Sequence, residues 1–493
     1  MLLNSPFTKV FSTFLFIAAG ALTGFAQAPV LYGMTPEGGR NGVGTIFSFS
    51  LAGNTEKVLH SFARHGFDGN SPTGSLALDN STNILYGLTY GGGQDSVGAI
   101  ISYDPASNFE SLVYSFTGPP DGGLPMSNLT WNAGNGLFYG ITYGGGGPLS
   151  NSGTIISFNP TAPLQDSVLY RFAISPNNSD AARPFGALTY NSATGLYYGL
   201  SLEGGDNYLG AIFSFNPATG SENLLYSFTA FEGNTPKGDL VYYPPTGLFY
   251  GLTTVGGTFN TGTIFSFDPT THNEQVVYNF SSSTDAVQAV GNLVYLPASG
   301  LFYGVSIAGG IHNWGTIFTF NPATDSENVV FSGNTGTIAR PVGNMVYDAG
   351  NHLFYGLSSL GGAHSQGTIY SFNPATNGVQ VLWSFGADSD GTRPNGSLIL
   401  LNGPNAINAV NKQDENVNIY PNPSSGAFTV TGLQPGQTVE INNYLGQQIS
   451  RFTATGLATQ QFDISSVANG IYLLQVINAD GNTAGFKKMV KTN

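Results

Sequence analysis

The chain reads as all-β: a seven-bladed β-propeller followed by a small β-sandwich. Three observations carry that expectation. First, Tyr-Gly pairs recur at Gly33, Gly87, Gly140, Gly199, Gly251, Gly304 and Gly356, separated by 54, 53, 59, 52, 53 and 52 residues. Second, each copy divides into four short strands, and a period near 50 residues with four strands per copy is a propeller signature. Third, the repeats begin on a second strand (VLYG, 30–33) and end on a first strand (GSLILL, 396–401). Pairing those two ends would close the ring and remove the edges that a half-built blade exposes.

Taken in order, residues 1–28 stand outside the fold. Lys9 gives a basic start, VFSTFLFIAAGALTG an apolar core, and GFAQA small residues, which together predict a secretory signal too short to span a membrane. Cleavage after Ala26 (signal 1–26) is preferred to cleavage after Ala28, because Pro29 would directly follow the second cut. The repeats occupy 29–401, and the clearest copy is 291–331. There NLVYL is a first strand, Pro297-Ala298-Ser299-Gly300 a tight turn, and LFYGVSI a second strand. Gly309-Gly310 opens a polar loop, GTIFTF is a third strand, NPAT turns it, and NVVF is the fourth. The third strands are apolar on both faces, as strands covered by neighbouring blades must be. Aromatic residues, 13 % of the chain, fill the wedges between blades.

There is no cysteine, so export brings no disulfide framework and stability rests on the core and the closed ring. Residues 29–404 hold 8 Lys and Arg against 23 Asp and Glu, a balance of −15. Such a body is unsuited to a phosphate backbone and excludes nucleic acid as a natural partner. No stretch of the body is a transmembrane run.

Residues 402–416 dissolve into a polar linker, and 417–493 alternate in short strands that predict a β-sandwich. The segments NIYPNPSSGAFTV (418–430), YLGQQI (444–449), ANGIYLLQV (468–476) and KKMVK (487–491) resemble the type A sorting domain of the type IX secretion system. The matching positions are Tyr420, Pro421, Asn422, Pro423, Gly426, Gly446, Gly470, Tyr472, Lys487 and Lys488. The resemblance implies passage across the outer membrane of a Gram-negative, Bacteroidota-type bacterium, the secretion machinery as partner, and a secreted or surface-anchored product. Upstream, LYGLTYGGGQDSVGAI (85–100) and SFARHGFDGNSPTGSLAL (61–78) resemble the GloVer tandem repeats of bacterial surface proteins. The strand plan with its Gly-Gly also resembles kelch repeats. Neither likeness brings an activity.

Strand order puts the 1–2 and 3–4 turns on one face, and the 2–3 and 4–1 loops on the other. The second face carries the variable sequences GGRNGVG, GGGGPLSNSG, GGDNYLG, GGIHNWG and GGAHSQG, and is the expected ligand face. Its 4–1 loops repeat an acidic turn at Asp68, Asp121, Glu232 and Asp390, with Asp180 and Asp285 nearby. A ring of carboxylates for cations or sugars is one reading, and Asp-Gly as a favoured turn pair is the plainer one. Asp388 and Asp390 match only part of a calcium loop.

Arg183, Arg340 and Arg393 each precede a proline at one repeat position, which suggests bonding to the carbonyls of the adjacent blade or to an anionic ligand. Tyr143, Tyr208, Phe259 and Trp314 stand in or beside 2–3 loops, where rings stack on sugars or cap blade ends. His312 and His364 occupy similar places in consecutive loops with no evident third metal ligand. No HExxH, cysteine nucleophile or P-loop is present. Ser306 in GVSIAG aligns with Thr or Ser in every repeat, so it is a strand position and no nucleophile. No catalytic residue and no cofactor is expected, and the metal question stays open. The leading expectation is a non-catalytic module binding glycan or protein. A carbohydrate-active hydrolase or lyase, and a structural spacer, are the alternatives.

Overall fold

The computed structural model describes residues 29–401 and 417–491, apart from short stretches at 65–67, 148–149, 161–165, 176–177, 282–283, 387–389, 423, 444–447, 455–458, 468–469 and 478–482. The chain divides into two compact units. One comprises Pro29–Leu401, and the second contains the C-terminal strands. The expected signal segment and linker lie outside the described residues. No helix among the described residues is long and apolar enough to cross a membrane.

The first unit repeats one antiparallel sheet plan along the chain. In the sixth sheet, Ala286–Leu296, Leu301–Gly309, Thr316–Asn321 and Ser326–Ser332 pair in sequence order. The fourth sheet (Ala181–Asn191 to Ser221–Ser227) and the seventh (Ile338–Asp348 to Gly378–Ser384) follow the same order. The fifth differs only in that its first strand is split into Asn234–Pro236 and Val241–Tyr243. In the first sheet the order crosses the chain ends: Val30–Thr35 lies between Thr45–Ser50 and Ile399–Leu401, with Val30, Leu31 and Tyr32 paired to Leu401, Leu400 and Ile399.

The Tyr-Gly signature has a steric cause. Each glycine sits opposite a third-strand residue, as Gly33 does Phe47 and Gly356 does Tyr370. A Cβ on either would lie 2.5 Å from the facing ring, and Gly199, Gly251 and Gly304 are as tightly met by Phe213, Phe265 and Phe318. The missing side chain is the space the aromatic fills.

Those aromatics build a separate apolar cluster at each junction between consecutive sheets. Tyr139, Ile155, Tyr197 and Phe213 join the third and fourth, and Leu31, Phe47, Leu357 and Phe385 join the seventh to the first. The third strands are buried along nearly their whole length, Thr316–Asn321 reading buried at every residue but the last. This is the two-sided burial that stacked sheets impose.

The first strands converge and are tied to each other by a chain of side-chain bonds. The backbone N–H of Ser75 donates to Asn128 Oδ1 (2.6 Å), Ala187 to Asp239, Asp239 to Asn292, and Asn292 to Asn344 (2.5, 2.5 and 2.6 Å). Asn344 donates to Ser397 Oγ and Ser397 to Ser75 Oγ, both at 2.7 Å, so the series returns to its start. One link is missing where Ala187 has no side chain to accept from Asn128. Gly186, Gly238, Gly291, Gly343 and Gly396 precede these residues. A Cβ on any of them would meet the next first strand's carbonyl oxygen.

The second unit has two sheets. Asn418–Tyr420, Ala427–Thr431 and Thr459–Asp463 form one; Gln448–Thr453, Thr438–Asn443, Gly470–Ile477 and Thr483–Lys491 form the other. They enclose Val417, Phe428, Val430, Val439, Ile441, Phe462, Tyr472, Leu474 and Met489, as a small sandwich does.

Candidate functional site

Six of the 2–3 loops have one length and one backbone. Each runs seven residues, Gly38–Gly44, Gly92–Gly98, Gly204–Gly210, Gly256–Gly262, Gly309–Gly315 and Gly361–Gly367, with positive φ at positions one, two, five and seven. The fifth residue's N–H donates to the second residue's carbonyl in all six, at 3.0–3.3 Å, and the seventh closes onto the first. Position five holds Gly42, Ser96, Tyr208, Asn260, Asn313 or Ser365 in the same left-handed conformation. These six loops of the face expected to be variable are therefore constant in backbone and variable only in side chain. Positions three to five are exposed in every one of the six loops.

Those exposed triplets differ around the unit. The first and second loops offer Arg40-Asn41-Gly42 and Gln94-Asp95-Ser96. In the fourth, fifth and sixth, Tyr208 is 58 %, Phe259 54 % and Ile311 71 % exposed, and Phe231 in the adjoining 4–1 turn reaches 87 %. His312 and His364 are exposed beside them. Neither histidine belongs to a group of three ligating side chains among the described residues.

The arginines occupy strand entries rather than loops. Arg183 and Arg340 lie inside first strands, and Arg393 directly follows Gly391–Thr392. Their φ values are 49°, 50° and 49°, and Ser71, Leu124, Thr235 and Gln288 adopt the same conformation at the same repeat position. Each N–H donates to the preceding sheet's 2–3 loop: Arg183 to Ser152 (2.8 Å), Arg340 to Trp314 and Arg393 to Gln366 (both 2.7 Å). The bond to the adjacent carbonyl is thus a backbone bond that any residue can make.

The arginine side chains do three different things. Arg183 binds Glu203 at 2.6 Å and lies 5.3 Å over the Tyr143 ring, which is half-buried beneath it. Arg393 pairs loosely with Glu37 at 3.8 Å. Leu360 stands where those glutamates do, and Arg340 is exposed without an ion pair among the described residues. Arg340 lines a cavity of about 340 Å³ with Thr73, Met126, Phe185, Lys237, Val290, Val342 and Asn395, one residue from each first strand or its approach. Trp314 is half-buried.

Three of the acidic turn residues, Asp180, Asp285 and Asp390, are buried and bonded within the fold. Asp180 accepts from Ala173 N–H (2.8 Å) and Tyr170 Oη–H (3.0 Å). Asp285 accepts from Ser281 N–H and Tyr278, and Asp390 from Gly386 N–H and Trp383 Nε1–H. Sequence reasoning missed their partners, glutamates in the fourth strand of the next sheet. Burial pushes the carboxyl of Glu222 up to about 8, with Asp180 adding like-charge repulsion. Glu327 is raised to about 9 by burial and Asp285, Glu274 to about 8 by burial and Glu232, and Glu56 to about 7 by burial and Asp390. At the junction of the sixth and seventh sheets, Phe331, Thr337 and Val379 replace donor, acid and glutamate together. Ser306 is fully buried and donates to Ala308 C=O at 2.7 Å, which leaves it no nucleophilic role.

In the second unit Tyr420 is half exposed, Pro421 and Asn422 are exposed, and Tyr472 is buried. Gly426 has φ 126°, and a Cβ there would meet Ser465. Gly470 opens a strand, and Lys487 and Lys488 lie in the strand that pairs with it. Pro423 and Gly446 lie outside the described residues.

The Gloeobacter/Verrucomicrobia repeat matches residues 18–194, 131–298 and 282–418, and a secretion system C-terminal sorting domain matches 418–492. No curated protein matches the chain. Among solved structures, PorZ, an essential bacterial surface component of the type IX secretion system of Porphyromonas gingivalis, is 14 % identical with a TM-score of 0.46. The match covers 91 % of this chain and 63 % of PorZ, so this chain spans under two thirds of that protein. Putative 6-phosphogluconolactonases from Bacteroides uniformis and Bacteroides fragilis are 14 % and 15 % identical, each with a TM-score of 0.51. Those matches cover 76 % and 77 % of this chain and 100 % and 99 % of theirs. At such identities the likeness is one of fold, here propeller-like and all-β. The sorting domain marks the chain for type IX export to the cell surface or the medium of a Bacteroidota-type bacterium. The chain belongs to the Gloeobacter/Verrucomicrobia repeat family and carries a type IX secretion sorting domain.

Proposed function

We propose that the repeat unit, 29–401, is a seven-bladed propeller closed by its own ends and acts as a non-catalytic binding module for a glycan or protein ligand. The pairing of Val30–Tyr32 with Ile399–Leu401 and the return of the hydrogen-bonded series from Ser397 to Ser75 support the closed ring. The observation that carries the binding role is the set of six loops with one backbone and freely differing exposed triplets. A rigid frame displaying interchangeable side chains limits the ordering cost on association. The contact surface is the arc of Tyr208, Phe259, Ile311, His312 and His364, with Arg340 beside it. Exposed aromatics of this kind stack on sugar faces or anchor a protein partner. Tyr143, Trp314, Arg183 and Arg393 support the frame and are secondary candidates.

The close carboxyl pairs do not favour a glycosidase. They are buried between sheets and recur at several junctions, whereas a catalytic pair must flank an open cleft. Residues 1–26 serve as export signal, 402–416 as linker, and 417–493 engage the secretion machinery through Tyr420, Gly426 and the Lys487-Lys488 strand.

The test is a glycan-array screen of the full-length chain with a parallel assay for products. The expected result is specific binding, no products, and at least a roughly tenfold loss of affinity in Y208A/F259A/I311A, as hot-spot truncation produces. Product release, or binding indifferent to the triple variant, would overturn the reading.

A further inference from the structure

We propose that His60, Asp68 and Glu110 form a divalent transition-metal site of the Zn²⁺ class where the first and second sheets meet. His60 is the penultimate residue of the first sheet's fourth strand (Thr55–Ser61), Asp68 lies in the turn that follows, and Glu110 is in the second sheet's fourth strand (Phe109–Ser115). One ligating atom from each lies within 4.8 Å of the others, and no other such group of three occurs among the described residues. His60 Nε2 is 3.2 Å from Asp68 Oδ2 and 3.8 Å from Glu110 Oε2. Ligands on a tetrahedral Zn²⁺ at about 2.0–2.1 Å stand roughly 3.3 Å apart, so the cluster needs only small adjustment to close on an ion.

Two further observations point to a ligand. The Glu110 side chain is nine-tenths buried, yet its Oε1 has no hydrogen-bond partner, and Asp68 Oδ1 is likewise buried and unpartnered; the same orphan oxygens recur on Asp180 and Glu222, where a tyrosine stands in place of the imidazole. Two carboxyls that each turn one oxygen toward an imidazole and leave the other without a donor suit a cation. The junction also departs from the repeat plan. The corresponding donor to the acidic turn is Tyr114, Tyr170 or Tyr278 at three other junctions and Trp383 at a fourth, and a neutral phenol or indole is a poor ligand. Only here does the position carry an imidazole, and imidazole with carboxylate is a donor set for Zn²⁺ rather than for Ca²⁺ or Mg²⁺.

The surroundings hold the ligands in place. Asp68 Oδ2 accepts from Ala63 N–H at 2.8 Å, and the His60 ring stands edge-on to Phe62 at 5.0 Å. The side chains of His60 and Asp68 are 25 % and 16 % exposed, which leaves a fourth position for water. The ion would clip the outer strands of two consecutive sheets together.

The test is titration of chelator-stripped, full-length chain with Zn²⁺ by calorimetry, and with Co²⁺ followed by its visible d–d absorption. One equivalent is expected to bind and to raise Tm. H60Y installs the residue other junctions use, so the fold is preserved. Its Zn²⁺ affinity is expected to fall by more than the roughly 10–100-fold typical of outer-shell changes. E110Q is expected to weaken binding too, and H312A/H364A to leave it unchanged. No binding by the native chain, unchanged binding by a folded H60Y, or loss in H312A/H364A would each overturn the proposal.

Discussion

Gly304 faces the Phe318 ring across the sheet, and its side chain is hydrogen because the ring is already there. G304A is expected to destabilise the chain by about 1–3 kcal/mol, the usual cost of overpacking, read as a shift in urea midpoint at constant slope. The buried glutamates set a pH dependence. Glu222, Glu274 and Glu327 rise from 4.5 to about 8, 8 and 9 in the folded chain. The folded state therefore keeps protons that the unfolded state has lost. Their contribution is complete below about pH 4.5 and disappears as pH climbs through 8–9. Stability to urea is expected to fall between pH 6 and pH 9, and E222Q/E274Q/E327Q to flatten that fall, because an amide keeps the donor without the charge. A native chain with no such slope would contradict the assignment. The glutamates were illegible in the sequence because each meets its acid from a different repeat about 42 residues away, as Asp180 and Glu222 do, and no motif spans that distance.

The strand entries and the loops are two halves of one device. A left-handed residue at the head of each first strand donates to the loop of the sheet before it, and Thr235 does so at φ 52° with a branched side chain. T235G is expected to stabilise by about 0.5–1 kcal/mol, since a non-glycine left-handed residue costs roughly 1–2 kcal/mol and glycine returns part of that in chain entropy. Thermal melts of the two chains would measure it, and a lower Tm in T235G would contradict the strain. Tandem alignment was enough to place the strands, because a Tyr-Gly pair opposite an aromatic, or opposite Ile101 and Ile156 in the second and third repeats, recurs with little change. It was not enough for the loops, where Gly42, Ser96, Tyr208 and Asn313 look unrelated yet share one conformation. Nor could it tell that Arg183 folds over Tyr143 while Arg340 stands free. That difference lies in Glu203 and Leu360, twenty residues downstream of each arginine.

The apolar cluster uniting Leu31 and Phe47 with Leu357 and Phe385 makes the first and seventh sheets neighbours. A chain of residues 29–404 is expected to unfold in one cooperative transition. One ending at residue 395, which lacks Ile399–Leu401, is expected to aggregate or to lose that transition, as judged by calorimetry and light scattering. Equal behaviour of the two would mean that the closing strand is dispensable. The pairing of Val30–Tyr32 with Ile399–Leu401 was legible from register alone, while the bonds from Asn344 to Ser397 and on to Ser75 were not, since Asn and Ser at a strand start are common.

The pairing of Val30 with Leu401 also sets an order of events. Bringing together two points about 370 residues apart costs roughly 5 kcal/mol in loop entropy, recovered only when the last repeat strand arrives. In the closed ring proposed above, a chain threaded through a membrane from its N-terminus stays an open arc until then, and the sorting domain emerges only after the strand that pairs with Val30–Tyr32. The export address is thus delivered behind the latch: whatever reads it meets a chain that already holds every piece needed to close.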